Sequence, residues 1–218
     1  MDQMEDIRVP CLRDFGMDKT LDEIAGLLDT LERNSIAKTP WENRENIPDV
    51  SFVIAHTGDC ILLKYYVHEN SIRGLYSNTN APVHEDSCVE FFIGFGNGPA
   101  YYNIELNCIG TCLLGYGIDR NSRDTLPDDI VNKIQRYIVI EPGGKTALKP
   151  VYWELTLVIP KEVFIHDDIT CWKGMNCKVN FFKCGDGLPE PHFLSWNNII
   201  SPEPNFHLPE FFGNMQFI

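Results

Sequence analysis

The sequence predicts an all-β, immunoglobulin-like β-sandwich with one N-terminal helix and a short inserted helix. Three observations lead there. About ten segments alternate apolar and polar side chains with period two. Gly-, Pro- and Asn-containing turns separate most of them. Helical spacing occurs in two stretches only.

Composition sets the frame. The chain has 218 residues, 44% hydrophobic and 22% charged. That suits one globular domain, able to bury roughly 70% of its unfolded surface. Eighteen Lys and Arg stand against 31 Asp and Glu, a net charge of −13 with no basic run. Phosphate neutralisation needs clustered cations, so a nucleic-acid partner is excluded. No apolar run reaches the roughly 20 residues that a membrane-crossing helix needs, and no membrane partner is expected. The first residues lack the charged-then-apolar layout of an export signal. The expected location is cytoplasmic, or secreted or periplasmic if a leader was removed. The eight cysteines include no CxxC pair, and several fall in apolar strand patterns. They read as reduced core thiols rather than disulfides or a zinc site.

Residues 1–35 read as an N-terminal extension and 36–218 as a single sandwich domain. Residues 1–19 show no periodicity. Thr20-Leu21-Asp22-Glu23 is a capping box, hydroxyl at the N-cap and carboxylate three residues on. Leu21, Ile24, Leu27, Leu28 and Leu31 then share one face, predicting a helix over about 21–33 packed on the sandwich. Period two begins after Pro48, with strands at 51–56 and 60–68 about a Thr57-Gly58-Asp59 turn. The polar, irregular stretch 69–85 is a long loop, a usual seat of recognition residues. Strands at 87–95 and 101–108 form a hairpin around Gly96-Asn97-Gly98-Pro99, followed by a strand at 112–118. A short helix is predicted near 126–135, with Thr125 and Asp128 as caps and Pro127 in its first turn. Strands at 136–141 and 151–159 flank a Pro142-Gly143-Gly144 turn. Strands at 175–184, 192–197 and 214–218 complete the chain.

The central hairpin carries the chemistry. Val89, Phe91, Ile93 and Phe95 share a face with Tyr102, Ile104, Leu106 and Cys108, and that face is core. The other face shows Cys88, Glu90, Phe92, Tyr101, Asn103, Glu105 and Asn107. Carboxylates, amides and rings together suit a polar ligand; the same face also reads as the solvated side of an outer sheet.

Val83-His84-Glu85-Asp86-Ser87-Cys88-Val89-Glu90 resembles the acidic strand signature of family 9 carbohydrate-binding modules. Leu194-Ser195-Trp196 and Phe206-His207-Leu208-Pro209-Glu210-Phe211-Phe212-Gly213-Asn214 are similar to that family's closing pattern. The resemblance spans roughly 36–218. It implies a jelly-roll-like sandwich that holds a terminal sugar between two rings with polar side chains around it. Carried over, the rings fall on Phe206 and near His84, and the strand carboxylate on Glu90. The family's arginine falls at about Glu105, and a late polar residue near Phe182, both departures. Trp196 matches by position, and its other reading is core packing.

Three functions follow as expectations. The first is non-catalytic binding of a mono- or oligosaccharide, with Glu90, Asn103 and Glu105 as hydrogen-bond partners and His84, Phe206 and Trp196 as rings. Arg73, Arg120 and Arg123 could supply the missing donor. The second is a glycoside hydrolase using Glu90 and Glu105, which would need a defined carboxyl separation. The third is a structural or protein-interaction sandwich that has lost sugar binding. No cofactor is expected; calcium on loop oxygens (Asn78, Asn80, Glu85, Asp86) is a weaker alternative. The sequence is silent on oligomeric state.

Overall fold

The computed structural model describes residues 4–12, 19–41, 47–141 and 150–218. The Pro142-Gly143-Gly144 turn lies outside the described residues. The chain runs β1 (Asp6–Val9), α1 (Leu21–Leu28), β2 (Asn34–Ser35), β3 (Asp49–His56), β4 (Cys60–Glu69), β5 (Cys88–Phe95) and β6 (Tyr101–Asn107). It continues β7 (Cys112–Gly117), β8 (Arg123–Thr125), α2 (Asp128–Val131), β9 (Gln135–Glu141), β10 (Val151–Pro160), β11 (Asn176–Cys184), β12 (Phe193–Ser195) and β13 (Gly213–Phe217).

These strands form two sheets. The larger has the order β1-β13-β11-β5-β6-β7-β8, with β12 also on β11, and the smaller β2-β3-β4-β10-β9. All pairs are antiparallel except β1 with β13. The predicted strands therefore appear close to their expected bounds, packed as a sandwich.

The main core lies between the sheets, where Val89, Phe91, Ile93, Tyr102, Ile104 and Leu106 meet Phe52, Leu63, Tyr65, Trp153 and Leu155. The predicted core face of the hairpin is the observed one. One buried charge pair also links the layers. Lys183 of β11 lies 2.9 Å from Glu69 at the end of β4, and Glu69 accepts from Trp153 Nε1 at 2.7 Å.

Each sheet is covered on its outer side too. On the smaller sheet, Ile24 and Leu28 of α1 pack on Val53, Ala55, Leu62 and Val158. The Thr20–Glu23 capping box is present, but the helix is shorter than predicted. Asp29 caps it because its carboxylate turns to Lys64 at 2.7 Å and Tyr66 at 2.6 Å. The amides of Thr30 and Leu31 then bond three residues back, closing a tight last turn. The second helix is four residues long, and neither Thr125 nor Asp128 caps it. Thr125 is committed to β8, and Asp128 accepts instead from Asn80 at 3.2 Å.

The described part of residues 1–35 also contributes strands to the sandwich. β1 pairs in parallel with β13 and β2 pairs with β3. Ile7 and Val9 do alternate with Asp6 and Arg8, but four residues are too few for period two to stand out.

Over the outer face of the larger sheet run residues 197–212. Asn180 and Asn197 anchor this segment: Asn180 Nδ2 donates to Asn197 O at 3.1 Å, and Asn197 N to Asn180 Oδ1 at 2.9 Å. Ile199, Phe206 and Phe212 then pack on Phe92, Tyr101, Leu113 and Phe182. The second hairpin face is thus neither open nor solvated. It is roofed by the C-terminal segment, and a pocket remains where the roof meets the polar residues.

Candidate functional site

The pocket is built from four places in the fold. Glu90 and Glu105 form its floor, directly opposed in the β5–β6 register. Arg120 and Arg123 come from the β7–β8 turn and β8. His84, Cys184 and Asp186 form one side, and Phe193, Pro204, Asn205, Phe206 and His207 the other. The pocket encloses about 70 Å³ and opens to solvent, room for one end of a ligand rather than a whole one.

Local sequence explains why these groups converge. β7 offers Gly115 and Gly117 on the face shared with Glu105. A Cβ at Gly115 would lie 2.5 Å from Asn103 Oδ1, and one at Gly117 would lie 2.5 Å from Arg123 Cα. Glycine in a strand here permits close approach. Arg123 reaches across β7, and its Nη1 bonds Glu105 Oε1 at 2.9 Å. Asn103 Nδ2 donates to the same oxygen at 2.7 Å. His84 Nδ1 lies 3.9 Å from Glu105 Oε2. The 3₁₀ turn bearing His84 meets the exit of β11, where Asp186 N donates to His84 O at 3.0 Å.

The electrostatics separate the acids. Burial, then the nearby Glu105 carboxylate, pushes Glu90 well above the usual carboxyl range. Burial also raises Asp186. Burial thus favours the protonated form of Glu90, beside Glu105, whose Oε1 Arg123 and Asn103 hold. His207 is pushed down from 6.5 to about 3, first by burial and then by Arg123, Arg120 and His84. Its Nδ1 lies 2.8 Å from Tyr101 Oη.

A pH effect follows from His207. Its folded value is lowered, so the neutral ring stabilises the fold above the unfolded value of 6.5, and this is lost as pH falls towards about 3. His207→Gln is expected to flatten that part of the profile, measured by urea denaturation across an acid pH series. An unchanged slope would refute it.

Of the sequence-predicted residues, His84, Glu90, Glu105, Arg120, Arg123 and Phe206 meet in this pocket. Three do not line it. Asn103 is fully buried and spends its amide on Glu105. Trp196 stands between the sheets, edge-on to Phe181 at 5.7 Å and to Phe52 at 6.3 Å. Arg73 bonds Glu85 O at 2.6 Å and lies 3.6 Å from Asp86, because that buried carboxylate needs a countercharge. Phe206 is itself only 8% exposed and stacks on Phe182 at 4.2 Å. It is a wall, not a free platform.

Several of the oxygens considered for calcium accept hydrogen bonds within the protein. Asp86 Oδ2 accepts from Leu75 N, Tyr76 N and Asn107 Nδ2. Asn80 Oδ1 accepts from Leu114 N, and Glu85 Oε2 from Tyr76 Oη. Sequence reasoning missed Asp186, Phe193, Asn205 and His207. Only His207, next to Phe206 in the closing pattern, carried a signal that could have found it.

A family model described as carbohydrate-binding family 9 matches residues 22–217. The chain is 35% identical to a candidate carbohydrate-binding protein from Bacteroides uniformis ATCC 8492, with a TM-score of 0.88 over 99% of this chain and all of that one. Two structures of a family 9 module from Caldicellulosiruptor kristjanssonii share 12% identity with it. The complex with cellotriose has a TM-score of 0.59, covering 98% of this chain and 93% of that one. The complex with glucose has 0.57, covering 98% and 96%. At that identity the likeness is one of fold. None of the curated proteins matches by sequence.

Proposed function

Since this chain belongs to carbohydrate-binding family 9, we propose that its pocket holds one end of a saccharide without cleaving it. The observation that carries this reading is the pairing of an apolar wall with a polar floor. Phe193, Pro204 and Phe206 face Glu90, Glu105, Arg120, Arg123 and Asp186 across one small pocket. A pyranose has the matching character: C–H groups that pack on rings, and hydroxyls that need both donors and acceptors. The two family modules solved with glucose and cellotriose support this choice of ligand class.

In this reading Glu105 accepts from a hydroxyl, and Arg123 holds it and donates beside it. The arginine that the family places on the β6 strand is thus supplied from β8. Glu90 and Asp186, whose protonated forms burial favours, face the same ligand. Phe193 is the half-buried ring on which the sugar face rests.

A hydrolase would also use one protonated and one ionised carboxyl. Here the two lie side by side on adjacent strands, about 5 Å apart at Cβ, and share one floor. Glu105 Oε1 is taken up by Arg123 and Asn103, and Glu90 Oε1 by the Cys184 thiol, which favours binding alone.

Titration calorimetry with glucose, cellobiose, cellotriose and a panel of other monosaccharides tests the proposal. Binding is expected with no shortening of cellotriose, and Phe193→Ala should weaken it by about tenfold, the value of one ring contact. Silence across the panel from a folded protein overturns the proposal. Release of product that Glu90→Gln abolishes would show a hydrolase instead.

A further inference from the structure

Beside the saccharide contacts, two sulfurs next to Glu90 carry a second chemistry. Cys88 of β5 and Cys184 of β11 are directly opposed in register. Glu90 lies two residues along β5, on the same face. The two sulfurs and a Glu90 oxygen all lie within 4.8 Å of one another, with Cys184 Sγ 3.1 Å from Glu90 Oε1. All three side chains are buried, yet Cys184 and Glu90 line the pocket, which gives an ion a way in. Among the described residues this is the group of His, Cys, Asp and Glu side chains close enough to share a cation.

From this arrangement we infer that Cys88, Cys184 and Glu90 form a site for a thiophilic divalent cation of the zinc class. The donor set selects the ion. Two thiolates favour a soft or borderline metal and disfavour calcium and magnesium, which take oxygen. Tetrahedral zinc, with Zn–S near 2.3 Å and Zn–O near 2.1 Å, sets its ligand atoms roughly 3.5–3.8 Å apart. The trio needs side-chain adjustments of about an ångström to reach this. Adjacent strands fix both cysteines, so the main chain need not move. Three protein ligands leave a fourth position facing the pocket, open to water or to a hydroxyl. On binding, the two thiols and the carboxyl give up their protons to solvent. The competing account is a purely internal hydrogen bond from the Cys184 thiol to Glu90. The inference does not depend on saccharide binding.

The test is titration of the reduced full-length chain with cadmium, read by the ultraviolet sulfur-to-cadmium charge-transfer band, with zinc as competitor. The band should saturate at one cadmium per chain and reverse on adding zinc. Cys88→Ser and Cys184→Ser should abolish it, while Cys171→Ser, which alters an exposed thiol, leaves it unchanged. Should the serine variants fail to fold, Glu90→Gln decides. Nearly isosteric, it keeps both sulfurs and hence the band, but should weaken cadmium by about tenfold or more, since even an outer-shell partner is worth about 10–100-fold. Three results would overturn the site: no band, a band that survives Cys184→Ser, or unchanged affinity in Glu90→Gln.

Discussion

Arg123→Ala is expected to abolish measurable saccharide binding and to cost about 3–5 kcal/mol of stability. The two losses have one origin. Glu105 is 2% exposed and Arg123 is its guanidinium partner at 2.9 Å. Without Arg123 the buried carboxylate keeps only the Asn103 amide and the distant His84 ring. Losing a charged donor to the ligand also costs about 1.5–3 kcal/mol of affinity, some tenfold or more. The double variant Arg123→Ala/Glu105→Gln separates the effects. Removing the orphaned charge should recover most of the stability but none of the binding. Arg123→Lys should recover stability in part and binding little, because an ammonium cannot reproduce the planar fork. Urea denaturation and calorimetric titration read the two quantities. Binding by Arg123→Ala at wild-type strength would remove Arg123 from the site.

Lys183→Met should be the most damaging change away from the pocket. Lys183 is wholly buried and reaches Glu69 at 2.9 Å, the Cys184 carbonyl at 2.8 Å and His192 Nε2 at 2.8 Å. The substitution keeps the volume but strands Glu69 inside, at about 3–5 kcal/mol. A domain with some 5–15 kcal/mol in total would lose a large share. Adding Glu69→Gln should return stability to within about 1 kcal/mol of the parent, since glutamine is uncharged and still accepts from Trp153 Nε1. If the single variant unfolds at the parent's denaturant midpoint, the clamp between the sheets is not structural.

Much of this site was legible because strand alternation is a local rule. It put Glu90 and Glu105 on one face before any coordinates, and the register pairs them directly. The position of Phe206 came from the resemblance of the closing motif. Asn103 misled for a definite reason. Alternation gives the face of a residue but not what lies over it, and Asn103 is fully buried with its amide on Glu105. Arg73 and Arg123 were indistinguishable as loop cations. What separates them is the carboxylate each found: Asp86 inside the loop for one, Glu105 on the pocket floor for the other.

The sequence by itself determined the β-sandwich, the inward face of its central hairpin and the helix that Thr20 and Glu23 open. Each depends on neighbours a few residues apart, through side-chain period, capping chemistry or turn residues. Tertiary structure alone decided that the outer face is roofed, that Trp196 belongs to the core, and that two cysteines 96 positions apart meet beside Glu90. Those facts rest on which strands lie side by side and what packs over them. Such contacts join distant parts of the chain through burial and register, and leave no periodic trace along it.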